Sequence, residues 1–228
     1  MPSYVIPQPP QPAIAVAGSD QLFPVRRIWC VGRNYLEHIR EMGNDERAPP
    51  FFFGKHADMI VQDGATIPYP PLTKDFHHEV ELIVALKSGG LRIPAEKALD
   101  HVYGYAVGND LTRRDLQADA KDHGRPWDTS KGFDHSAVIS AITPAAQSGH
   151  LRSGRIWLKV NGQMRQQADL TELIWSVPEV IAELSTLFEL QPGDLIYTGT
   201  PEGVAAVVAG DTLVGEVAGL PKLTVKVV

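Results

Sequence analysis

Thiol chemistry is almost absent from this chain of 228 residues, which has one cysteine, Cys30. A single thiol excludes an intrachain disulfide and every multi-cysteine zinc or iron–sulfur site. Its place in a Trp-Cys-Val run marks it as a small core residue. Basic runs are missing as well: 21 Lys+Arg stand against 27 Asp+Glu, a net charge of −6. Phosphate backbones find nothing to grip, so no nucleic-acid partner is expected. No apolar stretch approaches the roughly 18 to 20 residues that cross a bilayer, and the first residues lack a basic start and an apolar h-region. A soluble, cytoplasmic chain without a membrane partner is the expectation. With 43% hydrophobic and 21% charged residues the chain is too apolar to be mainly disordered and has mass for a sizeable core.

Several catalytic signatures are absent too. There is no Gly-x-x-x-x-Gly-Lys-Ser/Thr phosphate loop, no Gly-x-Gly-x-x-Gly fingerprint and no Gly-x-Ser-x-Gly nucleophile elbow. His78-Glu79 does not open a zinc helix, because Leu82 stands where the second histidine belongs. ATPases, simple dehydrogenases, lipase-like hydrolases and zincins all fall in rank.

What is present is punctuated β-structure. Five prolines among the first twelve residues fix φ and remove donors, so residues 1–24 read as an extended arm and 25–228 as one domain. Ile28 to Val31 is a strand prediction, broken by Gly32-Arg33-Asn34. Asn34 with Glu37 three residues on reads as a capping box, and Gly43 as a stop, which predicts a helix from Tyr35 to Met42. Phe51-Phe52-Phe53, Met59-Ile60-Val61, Glu79 to Leu86 and Val102 to Val107 read as strands, and Leu111 to about Ala120 as a helix. Ile156 to Val160 runs into Asn161-Gly162, a strong hairpin signal. Ser176 with Glu179 opens a helix to about Phe188, and Leu195-Ile196-Tyr197, Thr212 to Val217 and Leu223 to Val227 close the chain in strands. The sum is an α+β fold, a rolled mixed sheet carrying a few helices.

Chemistry concentrates in a few places. A strand repeats every two residues, so Glu79 and Glu81 project from one face. That pair is either the solvated face of an edge strand or half of a cation site. Asp110, just past the strand that begins at Val102, is placed to deliver a third carboxylate. Three hard oxygen donors without thiolate suit Mg²⁺ or Mn²⁺ and leave coordination positions open. His38 and Glu41 stack at i and i+3 on the predicted helix, either a surface pair or a histidine whose tautomer a carboxylate fixes. Lys131 in Lys-Gly-Phe-Asp is a loop cation or a site residue, and Thr198-Gly199-Thr200-Pro201 is at least a turn. Trp29, Trp127, Trp157 and Trp175 read as core or interface residues.

Taken in order, Gly32-Arg33-Asn34-Tyr35 with His38 and Glu41, Phe53-Gly54-Lys55, Glu79-Val80-Glu81, Asn109-Asp110-Leu111-Thr112 with Arg114 and Gln117, Lys131-Gly132-Phe133-Asp134 and Tyr197-Thr198-Gly199-Thr200-Pro201 resemble the fumarylacetoacetate hydrolase family. The likeness runs from about Val25 to the C-terminus. The proline-rich leader and the phenylalanine run look most like the bacterial branch that cleaves fumarylpyruvate. The resemblance implies a mixed β-roll, a homodimer, a divalent metal (Mg²⁺ or Mn²⁺) on Glu79, Glu81 and Asp110, and C–C bond hydrolysis in a small-molecule 2,4-diketo acid, with fumarylpyruvate giving fumarate and pyruvate. It implies a water-activating His38 and Glu41, a catalytic Lys131 beside the metal, and substrate contacts from Arg33, Lys55, Arg114, Gln117 and Thr200. The same site chemistry also suits a 2-oxo acid decarboxylase, dehydratase or isomerase. A non-catalytic ligand-binding relative is disfavoured by the intact carboxylates and His38/Glu41 pair.

Overall fold

The computed structural model describes residues 3–35 and 48–228. The helix predicted from Tyr35 to Met42, with His38 and Glu41, therefore lies outside the described residues except for Tyr35. Tyr35 itself makes an antiparallel bridge to Leu173 instead of opening a helix.

The larger of the sheets has eight strands. Seven run in the order Phe51–Lys55, Arg27–Gly32, Asp194–Tyr197, Val80–Leu86, Val102–Asp110, Ala137–Ile139, Ile60–Gln62, and Thr143–Pro144 adds to Val102–Asp110. It is mixed: Asp194–Tyr197 runs parallel to Arg27–Gly32 and Ala137–Ile139 parallel to Ile60–Gln62, while the central pair is antiparallel. A second sheet of five strands orders Gln163–Asp169, Arg155–Val160, Thr212–Val217, Leu223–Val227, Ala65–Ile67. It lies across the first, with Thr212–Val217 against Val102–Asp110 and Arg155–Val160 against Val80–Leu86. This is the rolled mixed α+β architecture that the pattern predicts.

The two-residue period of Val80–Leu86 explains how the layers meet. All seven residues are buried, so this is a central strand and not an edge with a wet face. Val80, Leu82, Val84 and Leu86 join the core shared with Ile156, Leu158, Leu213 and Val217. Ile83 and Ala85 face the opposite core with Ile28, Cys30, Ala106, Leu195 and Tyr197. Glu81 falls on this second face. A carboxylate there is costly unless something compensates its charge.

Local signals held where the residues decide locally. Asn161 and Gly162 take positive φ values of 50° and 79° between Arg155–Val160 and Gln163–Asp169, as a tight hairpin turn requires. Ser176 and Glu179 cap the helix Val177–Leu187 reciprocally. The helix expected from Leu111 starts at Arg114, because Thr112–Arg113 pairs with Phe76–His77. After the exposed, proline-rich residues 3–10, Ala13–Ala15 and Leu22–Pro24 form a two-stranded ribbon that buries Ile14, Val16 and Phe23 in the second core. The four tryptophans are half-buried, and Trp29 stacks on Phe188 at 4.1 Å.

Candidate active site

Antiparallel pairing brings the start of Val80–Leu86 beside the end of Val102–Asp110. Asp110 donates its N–H to the Glu79 carbonyl at 2.9 Å, and Glu81 sits opposite Gly108. The Asn109 side chain pins the junction by accepting the Glu79 N–H at 2.8 Å. Glu79, Glu81 and Asp110 thus converge, each with a carboxylate oxygen within 4.8 Å of the others, and all three are buried.

Cations interleave with the acids. Lys131, at the end of the short helix Asp128–Lys131, donates to Glu79 at 2.7 Å and to Asp110 at 2.8 Å. Its place is a buried helix end, not a solvated loop. Arg114 donates to Glu79 and, at 2.6 Å, to Gln117. Lys55 stands behind the pocket, its ammonium bonded to the Lys131 carbonyl and 2.8 Å from Asp110 Oδ1. The resemblance implies a substrate contact for Lys55; in the structure its fully buried ammonium braces an acid, and it is not among the residues that line the pocket. On the other side the loop after Asp194–Tyr197 closes in. Gly199, at φ 100°, gives its N–H to Glu81 at 2.7 Å. A side chain there would meet the Cβ of Asn34 at 2.8 Å, and Asn34 is tied through its amide to Thr198 and Trp175.

The electrostatics set one acid of the three apart from the other two. Burial raises the Glu79 carboxyl, but the charges of Lys131 and Arg114 outweigh it and hold it at about 2. Glu81 is driven well above the usual carboxylate range by burial and by the negative charges of Asp110 and Glu79. Burial opposes the Lys131 charge, yet Asp110 and Glu79 prevail and keep the ammonium above its ordinary range. Asp110 Oδ1 is buried with the Lys55 ammonium 2.8 Å away as an ion-pair partner, without a well-aligned hydrogen bond. Three converging buried carboxylates, one of which has no cation paired to it among the described residues and cannot ionise freely, are what a divalent cation relieves, so the donor set fits Mg²⁺ or Mn²⁺.

These groups open onto a pocket of about 290 Å³ lined also by Arg33, Gln117, Lys121, Trp127 and Thr200. The fold therefore gathers Arg33, Arg114, Gln117, Lys131 and Thr200 with the three acids. His38 and Glu41 lie outside the described residues. Among the described residues Gln117 Nε2 makes no hydrogen bond, leaving a donor for a ligand. Cys30 is buried, and burial pushes its thiol well up, as suits a core residue and not a nucleophile.

Sequence reasoning missed the residues that hold Thr200. His78 Nδ1 donates to Gln166 Oε1 at 2.8 Å, and the Gln166 amide donates to Thr200 Oγ1 and to the Pro201 carbonyl, both at 2.8 Å. Gln166 comes from the second sheet, so no local spacing betrays it. Lys121 had a signal: it follows Arg114 and Gln117 at i+7 and i+4 on one helix face.

His78 makes folding acid-sensitive. Burial lowers its imidazole from 6.5 to about 4, so within that window the unfolded chain takes up a proton that the folded chain refuses. Stability then falls as pH drops, by about 2 kcal/mol between pH 7 and 5 from this group. Denaturant titrations should show His78→Asn with a shallower loss over that range than the parent protein. Equal slopes would contradict the assignment.

A rolled mixed sheet with an all-oxygen acidic triad in a cationic pocket defines a divalent-cation-dependent enzyme class acting on oxygen-rich, anionic small molecules. The chain belongs to the fumarylacetoacetate hydrolase family: residues 27–228 match the family domain described as fumarylacetoacetate (FAA) hydrolase C-terminal. It is 50% identical over 177 residues to the fumarylpyruvate hydrolase of a Ralstonia species, covering 78% of this chain and 92% of the relative. It is 37% identical to the human mitochondrial oxaloacetate tautomerase, covering 90% and 96%. The crystal structure of Pseudomonas aeruginosa fumarylpyruvate hydrolase in complex with Mn²⁺ and pyruvate superposes with a TM-score of 0.96 at 50% identity, over 99% of each chain. Among the described residues no helix is long and apolar enough to cross a membrane.

Proposed function

We propose that this protein hydrolyses the carbon–carbon bond of a 2,4-diketo acid, with fumarylpyruvate cleaved to fumarate and pyruvate. The observation that carries this reading is the convergence of Glu79, Glu81 and Asp110 in one pocket with Lys131 and Gln117. The relatives named for fumarylpyruvate hydrolysis support it. Residues 25–228 act as a single catalytic domain, and the assembly is a cytoplasmic homodimer.

Glu79, Glu81 and Asp110 would hold a divalent cation, Mg²⁺ or Mn²⁺, which would supply Lewis-acid polarisation of the substrate's oxo groups. His38 takes a proton from water and Glu41 orients the imidazole. That water adds to the acyl carbonyl next to the alkene. Lys131 and the Gln117 amide donate to the oxyanion that forms, and Arg114 holds both Gln117 and Glu79 in place for it. The bond to the methylene carbon then breaks, fumarate departs, and the pyruvate unit takes up a proton at that carbon. Thr200, held by Gln166, lines the pocket and contacts substrate there.

Charge fits the substrate class. Lys55, Arg114 and Lys131 equal the three acids in number, although their ion pairs all go to Glu79 and Asp110, so a bound dication leaves the pocket positive and suited to a dianion. The second reading, tautomerisation or decarboxylation of oxaloacetate, is favoured by the human relative. Steady-state kinetics on fumarylpyruvate, acetylpyruvate and oxaloacetate separates the two. The hydrolase reading predicts the highest kcat/KM for fumarylpyruvate; oxaloacetate ranking first would overturn it.

A further inference from the structure

Three cations approach the pocket from its outer side, and they are not equally occupied. Arg114 is spent on Glu79 and Gln117, and its Nε reaches His77. Arg33 and Lys121 make no ion pair among the described residues, although both line the cavity. Both are held toward it by structure. Arg33 follows the strand Arg27–Gly32 with φ at 59°, a conformation costly for a side-chain-bearing residue and one that clusters at ligand sites. Lys121 shares a helix face with Arg114 and Gln117, and its ammonium rests 5.1 Å from the centre of the Trp127 ring. Trp127 is in turn packed edge-on against Phe51 at 5.2 Å. Burial and the nearby charges of Arg114 and Arg33 hold the Lys121 ammonium below its usual range, so these cations repel one another until an anion joins them.

The helix sets a scale. Arg114 touches the acid triad, and Lys121 lies seven residues further, about 10 Å along the axis. A diketo acid engaged at the triad by its dioxo end extends its acyl chain away from it. In fumarylpyruvate that chain ends in a second carboxylate, three carbons beyond the carbonyl that is attacked. We propose that Lys121, with Arg33, binds this distal carboxylate and thereby sets a preference for dicarboxylic over monocarboxylic diketo acids. The assignment rests on the diketo acid reading above and adds the group that reads the acyl end.

The test compares fumarylpyruvate with acetylpyruvate, which keeps the dioxo acid and lacks the far carboxylate. Lys121→Gln should lower the ratio of their kcat/KM values about 10- to 100-fold, the range expected for a lost charge-assisted hydrogen bond, chiefly through the KM for fumarylpyruvate. Lys121→Arg should restore the ratio. A merely structural role would lower both substrates together and leave the ratio alone. An unchanged ratio in Lys121→Gln overturns the proposal. Binding without turnover gives an independent arm: calorimetric titration with fumarate and with crotonate, which lacks one carboxylate, should show a preference for fumarate that Lys121→Gln abolishes. If the parent protein cleaves neither diketo acid, the hydrolase reading fails, and the fumarate-over-crotonate preference alone decides the fate of Lys121.

Discussion

Glu81→Gln is expected to lose more than about 100-fold in activity at limiting metal, since even partners that only orient a metal ligand cost 10- to 100-fold in affinity. The amide keeps the shape of the carboxylate and can still accept the Gly199 N–H, so the loop at Thr198 should hold its place. Without metal the effect on the fold should be neutral or favourable. Glu81 is buried beside Glu79 and Asp110 and resists ionisation, and a neutral isostere removes that repulsion. Calorimetric metal titration and thermal melts in chelator measure both halves. A variant that binds Mn²⁺ like the parent protein, or melts far below it without metal, would contradict the placement of Glu81.

His38→Ala should lower kcat by roughly 10² to 10⁴-fold, the contribution of positioned proton transfer. Metal affinity should hold, because the cation donors are Glu79, Glu81 and Asp110. Glu41→Ala should cost nearly as much, and the double variant little more than the worse single one, since groups that act as a unit are strongly non-additive. Oxaloacetate turnover that survives in His38→Ala while fumarylpyruvate cleavage is lost would show that only hydrolysis needs the base. A wild-type rate on fumarylpyruvate would remove His38 from the mechanism.

The acid triad was legible because a two-residue period puts Glu81 and Glu79, which just precedes Val80–Leu86, on one side, and because Asp110 at the end of the antiparallel partner and the family resemblance turned that pair from a wet edge into a cation site. The hairpin at Asn161-Gly162 and the cap at Ser176 were legible for the same reason: the deciding residues are neighbours in sequence. What escaped depends on contacts distant along the chain. Gln166 reaches His78 from the other sheet, and nothing near either residue announces it. The resemblance implies a substrate contact for Lys55, while pairing of Phe51–Lys55 with Arg27–Gly32 places its ammonium 2.8 Å from Asp110 Oδ1, an arrangement that no local spacing announces. Ile14, Val16 and Phe23 lie in a proline-punctuated stretch whose own pattern is too short to reveal the core it joins.

The most direct test is product stoichiometry under metal control. Purified protein, freed of metal by chelation and then supplied with Mn²⁺ or Mg²⁺, is given fumarylpyruvate, and fumarate and pyruvate are quantified by chromatography. The expected result is release of the two acids in equal amounts, only after metal is restored. Full-rate cleavage in the chelated protein, or consumption of fumarylpyruvate without both acids appearing, would contradict a metal-dependent carbon–carbon hydrolase centred on Glu79, Glu81 and Asp110.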